Sequence, residues 1–270
     1  MDRGRGGIAW RYAIAQASGR GWVVDMSDAM TRAAIVTGGT GGVGAATVAL
    51  LRSKGYGVVS VDLAPAPEAW SDDDGIVALS ADVALEATAE LAVRTAQERF
   101  GRLDVLVNNA GLFHRKDIAT TSVADLERLL RVNVIGTFVF TRAAIDALAA
   151  TGGAIVNLGS ISGLVGSPQQ GAYSITKGAI IQFTRQSAIE LAPQGIRVNA
   201  VAPGAIDTEF VGKAVAHGSS PGNSNDTIRQ NNPLGRISSA EEIADAIVWL
   251  ASSPAVTGAV LSVDGGHTAR

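Results

Sequence analysis

The sequence predicts an α/β fold: a single doubly wound domain with a seven-stranded parallel sheet and helices on both faces. Two observations lead there. From residue 33 onward, short Val- and Ile-rich runs alternate with segments long enough for helices, the order that builds a parallel sheet with crossover helices. The runs are also nearly continuous in apolar residues where a half-exposed strand would alternate, so they belong to strands covered on both faces. Along the chain the strand-like runs are 33–38, 57–62, 75–82, 103–111, 153–160, 196–204 and 260–266. The helix-length segments between them are 42–54, 84–100, 123–150, 171–192 and 239–252. In such sheets ligands bind beyond the carboxyl ends of the strands, where the strand order reverses. The residues just after each run are therefore the ones to read for chemistry.

Composition narrows the function classes. The 270 residues hold 22 Lys+Arg against 25 Asp+Glu, a net charge of −3, with 47% hydrophobic and 17% charged residues. That balance excludes intrinsic disorder and lacks the basic footprint of a nucleic-acid binder. With no cysteine, disulfides, thiol catalysis and cysteine–metal sites are excluded. The histidines, His114, His217 and His267, are too widely spaced to suggest a metal site. No window approaches the roughly 18 consecutive apolar residues of a membrane span, and a cytoplasmic protein is expected. Glycine is in excess, 32 of 270 residues, or about 12% against an average near 7%.

Two segments stand apart. Residues 1–25 carry five glycines, four arginines and two of the four tryptophans, unlike the rest. Residues 1–30 are read as an irregular extension, with Met26 or Met30 as a possible true start, and 31–270 as the single domain. Residues 147–176 carry no charged side chain but contain Gly, Ser, Asn, Gln and Pro. That pattern suits a buried strand followed by a loop facing an enclosed site.

Residues 37–44 read T-G-G-T-G-G-V-G between a strand and a helix. Glycines there permit positive φ and let backbone N–H groups approach a pyrophosphate at the helix N-terminus. The loop satisfies three glycine spacings at once, through Gly38, Gly39, Gly41, Gly42 and Gly44, so spacing names a dinucleotide but no family. Asp62 closes the second run, about 20 residues on, where a carboxylate can accept from the adenosine ribose hydroxyls and repel a 2′-phosphate. No Lys or Arg follows in 63–65. NAD is therefore expected in preference to NADP; the alternative is a strand-end Asp capping its own turn. Tyr173 and Lys177 lie one helical turn apart on one face, and an ammonium favours the phenolate of a nearby tyrosine. Ser160 follows an apolar run shortly before them.

The loop residues Thr37, Gly38, Gly42 and Gly44, the N-N-A-G of 108–111, Asn133, Ser160, Tyr173 with Lys177, and Pro203 with Gly204 together resemble the short-chain dehydrogenase/reductase family. The likeness holds in order over about 33–266. It implies the compact branch, since too few residues follow Gly204 for a larger substrate domain. It also implies a Rossmann domain and catalytic roles for four residues. Tyr173 would be the general acid/base and Lys177 would lower its pKa and bind the nicotinamide ribose. Ser160 would hydrogen-bond the reacting oxygen, and Asn133 would hold a water linking Lys177 to solvent. For the cofactor, the resemblance points to Thr37, Gly38, Thr40, Gly42, Val43 and Gly44 around the phosphates. Asp62 and Leu63 would lie by the adenosine ribose, with Asp82 and Val83 flanking the adenine. Asn109, Ala110 and Gly111 would line the cleft, and Pro203, Gly204, Ile206 and Thr208 the nicotinamide end. The family also suggests a homotetramer or homodimer through the long helices.

The expected activity is interconversion of a secondary alcohol and a ketone. The expected pocket edge, Phe113, Ser162, Leu164, Gln170 and Phe210, offers no cationic clamp, which favours a neutral substrate. His114 either lines this pocket or faces water. The polar stretch 205–235 reads as a lid or as a plain surface excursion. The alternatives are a 3-oxoacyl-thioester reductase and a non-catalytic NAD-binding sensor or scaffold; the complete set Asn133, Ser160, Tyr173 and Lys177 argues against the last.

Overall fold

Strand β1 (Ala33–Thr37) is buried along its whole length, as its unbroken apolar sequence requires. A computed structural model describes residues 32–207 and 232–269. Among them, β1 is followed by β2 (Gly57–Asp62), β3 (Ile76–Ser80), β4 (Val105–Asn108), β5 (Ala154–Leu158), β6 (Arg197–Pro203) and β7 (Val260–Val263). They form a seven-stranded sheet in the order β3-β2-β1-β4-β5-β6-β7, and every pairing is parallel. The described helices are α1 (Gly42–Ser53), α2 (Glu86–Phe100), α3 (Val123–Leu129), α4 (Gly136–Ala149), α5 (Gly171–Leu191) and α6 (Ala240–Ser252).

Successive strand residues feed two cores, because side chains alternate across a sheet. Ile35, Val59, Leu106 and Ile155 pack with α2, α4 and α5 on one face. Ala34, Val36, Val58, Val107 and Val156 pack with α1 and α6 on the other. The edge strands β3 and β7 are only partly covered, so the sheet is buried where it is central. The order reverses between β1 and β4, and the loops after those two strands open the crevice in which ligands of such sheets bind.

Local chemistry sets the helix ends. Gly101, at φ +74°, closes α2 in the left-handed conformation, which costs glycine nothing. Ser239 and Glu242 form a capping box at the start of α6, and Ser122 and Asp125 form one at α3. The helix expected over 123–150 is interrupted. Between α3 and α4, Leu130–Ile135 forms a π-helical turn, a feature that sequence periodicity does not signal and that occurs mostly at functional sites.

Candidate active site

Helix α5 sets the central pair. Tyr173 and Lys177 lie one turn apart, and the Lys177 ammonium sits 5.7 Å from the centre of the Tyr173 ring. Lys177 is only 4% exposed, and its Nζ donates to the Leu158 carbonyl at the end of β5, 2.6 Å away. Burial pushes the Lys177 ammonium down to about 8. Burial also pushes the Tyr173 phenol up to about 12, against the smaller opposing effect of a hydrogen bond with the Ser160 side chain. Ser160 itself sits in extended backbone just beyond β5, where its Oγ accepts from the Ser162 N–H at 3.2 Å. Phe113 closes the opposite wall, its ring edge-on to Tyr173 with centroids 4.9 Å apart.

Asn133 occupies the π turn and is 1% exposed. Its Oδ1 accepts from Leu112 N–H at 2.7 Å, and its Nδ2 donates to the Leu112 carbonyl and to Thr176 Oγ1, each at 3.0 Å. This side chain therefore ties the loop after β4 to the helix of Tyr173 and Lys177. A Cβ on Gly111 would lie 3.4 Å from Asn133 Oδ1 and 3.7 Å from Lys177 Nζ, so the N-N-A-G segment runs directly past the catalytic candidates.

The residues expected to cradle a dinucleotide fit one. The first turn of α1 has no side-chain cap and no acidic residue, which leaves its N–H groups open to an anion. Gly38 and Gly42 both adopt positive φ, and a Cβ on Gly44 would run into the Gly38 carbonyl. Thr37 Oγ1 accepts from the Asn109 and Ala110 N–H groups, both at 3.0 Å, while Asn109 Nδ2 donates to the Thr37 and Gly38 carbonyls at 3.0 and 2.9 Å. The loops on either side of the crevice are thereby fastened together. Val43 is buried and packs in the core beneath the loop. Asp82 caps its own turn through Ala84 N–H and pairs with Arg131 at 3.3 Å; Val83 is buried against Gly136. Leu63 is exposed. Gly204 packs on Asp264 after β6, and Ile206 bridges to Ser238. Thr208, Phe210 and most of the stretch expected to form a lid lie outside the described residues.

A parallel sheet that reverses order at an uncapped glycine loop, with a Tyr/Lys/Ser cluster beside it, defines a dinucleotide-dependent oxidoreductase. The chain belongs to the short-chain dehydrogenase/reductase family: a family model described as Enoyl-(Acyl carrier protein) reductase matches residues 38–268. It is an NAD(P)(H)-dependent oxidoreductase acting on alcohol or ketone substrates. The chain is 38% identical over 240 residues to a 3-oxoacyl-[acyl-carrier-protein] reductase of Rattus norvegicus, covering 88% of this chain and 98% of the relative. It is 39% identical over 247 residues to a cis-4-hydroxycyclohexanecarboxylate dehydrogenase of Sinomonas cyclohexanicum, covering 88% and 97%. Among solved structures it resembles ElxO with NADP bound and a Tyr→Phe variant of ElxO with NADPH bound. Each has a TM-score of 0.81 at 32% identity and covers 89% of this chain and all of that one.

These structures correct the expectation of NAD, because ElxO carries NADP(H) in both. The physical reason lies at Asp62. Its carboxylate is taken up by two loops: Oδ2 accepts from the Thr40 N–H at 3.2 Å and the Thr40 hydroxyl at 2.7 Å in the glycine loop, and Oδ1 from Ala64 N–H at 3.1 Å in its own turn. The Ala64 contact is the turn-capping role that was the alternative reading of this residue, and with both oxygens already accepting, the carboxylate is not reserved for the ribose hydroxyls as the NAD expectation assumed.

Several residues at the site escaped sequence reasoning. Thr176 links Asn133 to the Tyr173 carbonyl. Asn157 also escaped: it joins Asn108, the first residue of the N-N-A-G segment, across β4 and β5 in a buried chain running from Thr141 on α4 to Thr184 on α5. Arg115 and Lys116, outside the expected pocket edge, sit against Gln169 on the rim. Single polar residues in apolar strands are visible in a sequence; which ones meet is not.

Proposed function

We propose that the protein interconverts a secondary alcohol and a ketone, with Tyr173 as the proton donor and acceptor. When bound, the nicotinamide supplies or receives the hydride. Everything else falls to the protein. Tyr173 Oη gives its proton to the carbonyl oxygen in reduction and takes it back in oxidation. Ser160 Oγ donates a hydrogen bond to the same oxygen, a contact that strengthens as negative charge develops there. Lys177, held by the Leu158 carbonyl, places its charge where it favours the phenolate. Asn133 acts as a positioning residue, since its side chain is committed to Leu112 and Thr176. The observation that carries this reading is the convergence of half-buried Tyr173 with buried Ser160 and Lys177 beside Gly111, at the carboxyl end of β5.

NADP(H) is the dinucleotide in this reading, supported by ElxO and by the engagement of Asp62 with Thr40. The reading includes self-association of the chain: Ile135 at the end of the π turn, Phe138 on α4 and Ile189 on α5 are exposed apolar residues, and the Phe138 ring centre stands 5.9 Å from that of Phe183 on α5.

The test is a panel of secondary alcohols and ketones with either dinucleotide. Wild-type protein is expected to turn over members of the panel with a higher kcat/KM for NADPH than for NADH. Tyr173→Phe should bind NADPH, read by fluorescence titration, with affinity near wild type while turnover falls by about 100- to 10,000-fold, the scale of lost acid–base catalysis. Turnover retained in Tyr173→Phe, or a clear preference for NADH, would refute the corresponding part of the proposal.

A further inference from the structure

The loop after β4 continues from Gly111 as Leu112, Phe113, His114, Arg115, Lys116. Phe113 touches the Tyr173 ring, so this cationic run begins at the wall of the catalytic cluster. Two residues of extended chain span at most about 7 Å, which brings Arg115 within the compass of one small substrate. The run is anchored on the far rim. Lys116 N–H donates to the Gln169 carbonyl at 2.8 Å, Arg115 Nε donates to Gln169 Oε1 at 3.3 Å, and Lys116 bridges to Gln170, whose side chain takes a hydrogen bond from the buried Ser162 hydroxyl. Gln169 itself holds φ at +61°, the sole positive-φ non-glycine residue among those described. Strain of that kind persists where surrounding contacts impose it and clusters at ligand sites.

Charge across this rim is unbalanced. Lys116 pairs with Asp125 at 3.3 Å. Asp125 also accepts from the Ser122 N–H and hydroxyl, and these contacts, with Lys116, hold its carboxyl down to about 2. His114 Nε2 is 3.9 Å from the same carboxylate, beyond hydrogen-bond reach, and is sealed from solvent without a partner. Arg115 is half-buried, and among the described residues its side chain hydrogen-bonds to Gln169 alone, through Nε to a neutral amide oxygen. No carboxylate among the described residues pairs with it, and Asp117, next along, is exposed. A half-buried guanidinium with no counter-charge among the described residues is the arrangement a carboxylate completes, through the paired N–H groups that Arg presents.

We infer that the substrate is a hydroxy or oxo acid whose carboxylate, remote from the reacting carbon, is bound by Arg115. The inference rests on the alcohol–ketone reading above and refines it, replacing the neutral substrate expected from the pocket edge.

The experiment compares 4-oxocyclohexanecarboxylate with its methyl ester in wild type, Arg115→Gln, Arg115→Lys and Gln169→Ala. Wild type is expected to show the higher kcat/KM for the acid. Arg115→Gln should raise KM for the acid about 10- to 100-fold, the scale of one charge-assisted hydrogen bond, while kcat and the ester kinetics stay near wild type. Arg115→Lys should recover part of the loss. Gln169→Ala removes the anchor but keeps the charge, so it should retain the preference for the acid. Equal use of acid and ester by wild type, or equal losses on both in Arg115→Gln, would overturn the inference. Binding of cyclohexanecarboxylate, followed by calorimetry on the NADPH complex, reads the same site without turnover. Arg115-dependent binding there with no turnover of either ketone would support the anion site and count against the alcohol–ketone reading; binding unchanged in Arg115→Gln would count against the anion site alone.

Discussion

At Tyr173 and Lys177, burial works against both charged forms: the ammonium is pushed down to about 8 and the phenol up to about 12. The two shifts leave opposite marks on stability. Between about pH 8 and the ordinary lysine range near 10.5, the unfolded chain holds a proton on Lys177 that the folded protein has lost, so stability rises with pH across that window. Below about 8 both states are protonated and the full cost of the buried charge is present, on the order of 3 kcal/mol. Above pH 10 the sign reverses for Tyr173, since the folded protein keeps a proton that the unfolded chain releases. Lys177→Met should therefore stand highest in Tm relative to wild type near pH 7, with its relative advantage shrinking by pH 9.5. Thermal unfolding at the two pH values decides it; a Tm difference that does not move with pH would show that Lys177 is not a buried charge. Asp62 carries the complementary lesson. A carboxylate at the end of β2 was visible from residue type and spacing, but its direction was not. Thr40, well separated from it in sequence, turns it inward.

At the scale of an element, the loop from β1 into α1 depends on close approach more than on flexibility. Gly44 sits in the first turn of α1, where a Cβ would strike the Gly38 carbonyl. Gly44→Ala should displace the loop and weaken NADPH binding by about tenfold or more, because the open N–H groups at the helix start are the anion site. Near-wild-type affinity by fluorescence titration would mean that the loop can shift without cost. The three glycine spacings that this loop satisfies are resolved here too: positive φ falls on Gly38 and Gly42, close packing on Gly44, while a Cβ on Gly41 would meet open space. The π turn at Leu130–Ile135 had no such signal. It is set by Asn133 reaching Leu112 and Thr176, contacts between segments that no local pattern joins.

At the scale of the whole molecule, sheet order makes the site. Reversal between β1 and β4 brings the glycine loop against N-N-A-G, and the neighbouring β5 delivers Ser160 and the carbonyl that holds Lys177. Ile135 in the π turn, Phe138 on α4 and Ile189 on α5 are 46%, 48% and 75% exposed, which is what the self-association reading rests on. Light scattering at micromolar concentration should give a multiple of 27.6 kDa, and Phe138→Arg should shift the mass toward a single chain. A wild-type mass of one chain would overturn the self-association reading.

The sequence by itself determined the α/β class, the seven strands with their parallel arrangement, and the placing of Tyr173 and Lys177 on one helical face. Those features are written in local terms: apolar continuity marks a strand buried on both faces, glycine marks a tight turn, and spacing places two side chains on one helical face. Tertiary structure alone decided how Asp62 is employed, how Asn133 is held and what surrounds Arg115. Each of these depends on where a side chain meets partners from distant segments, and a hydrogen bond or a missing counter-charge exists only once those segments are brought together.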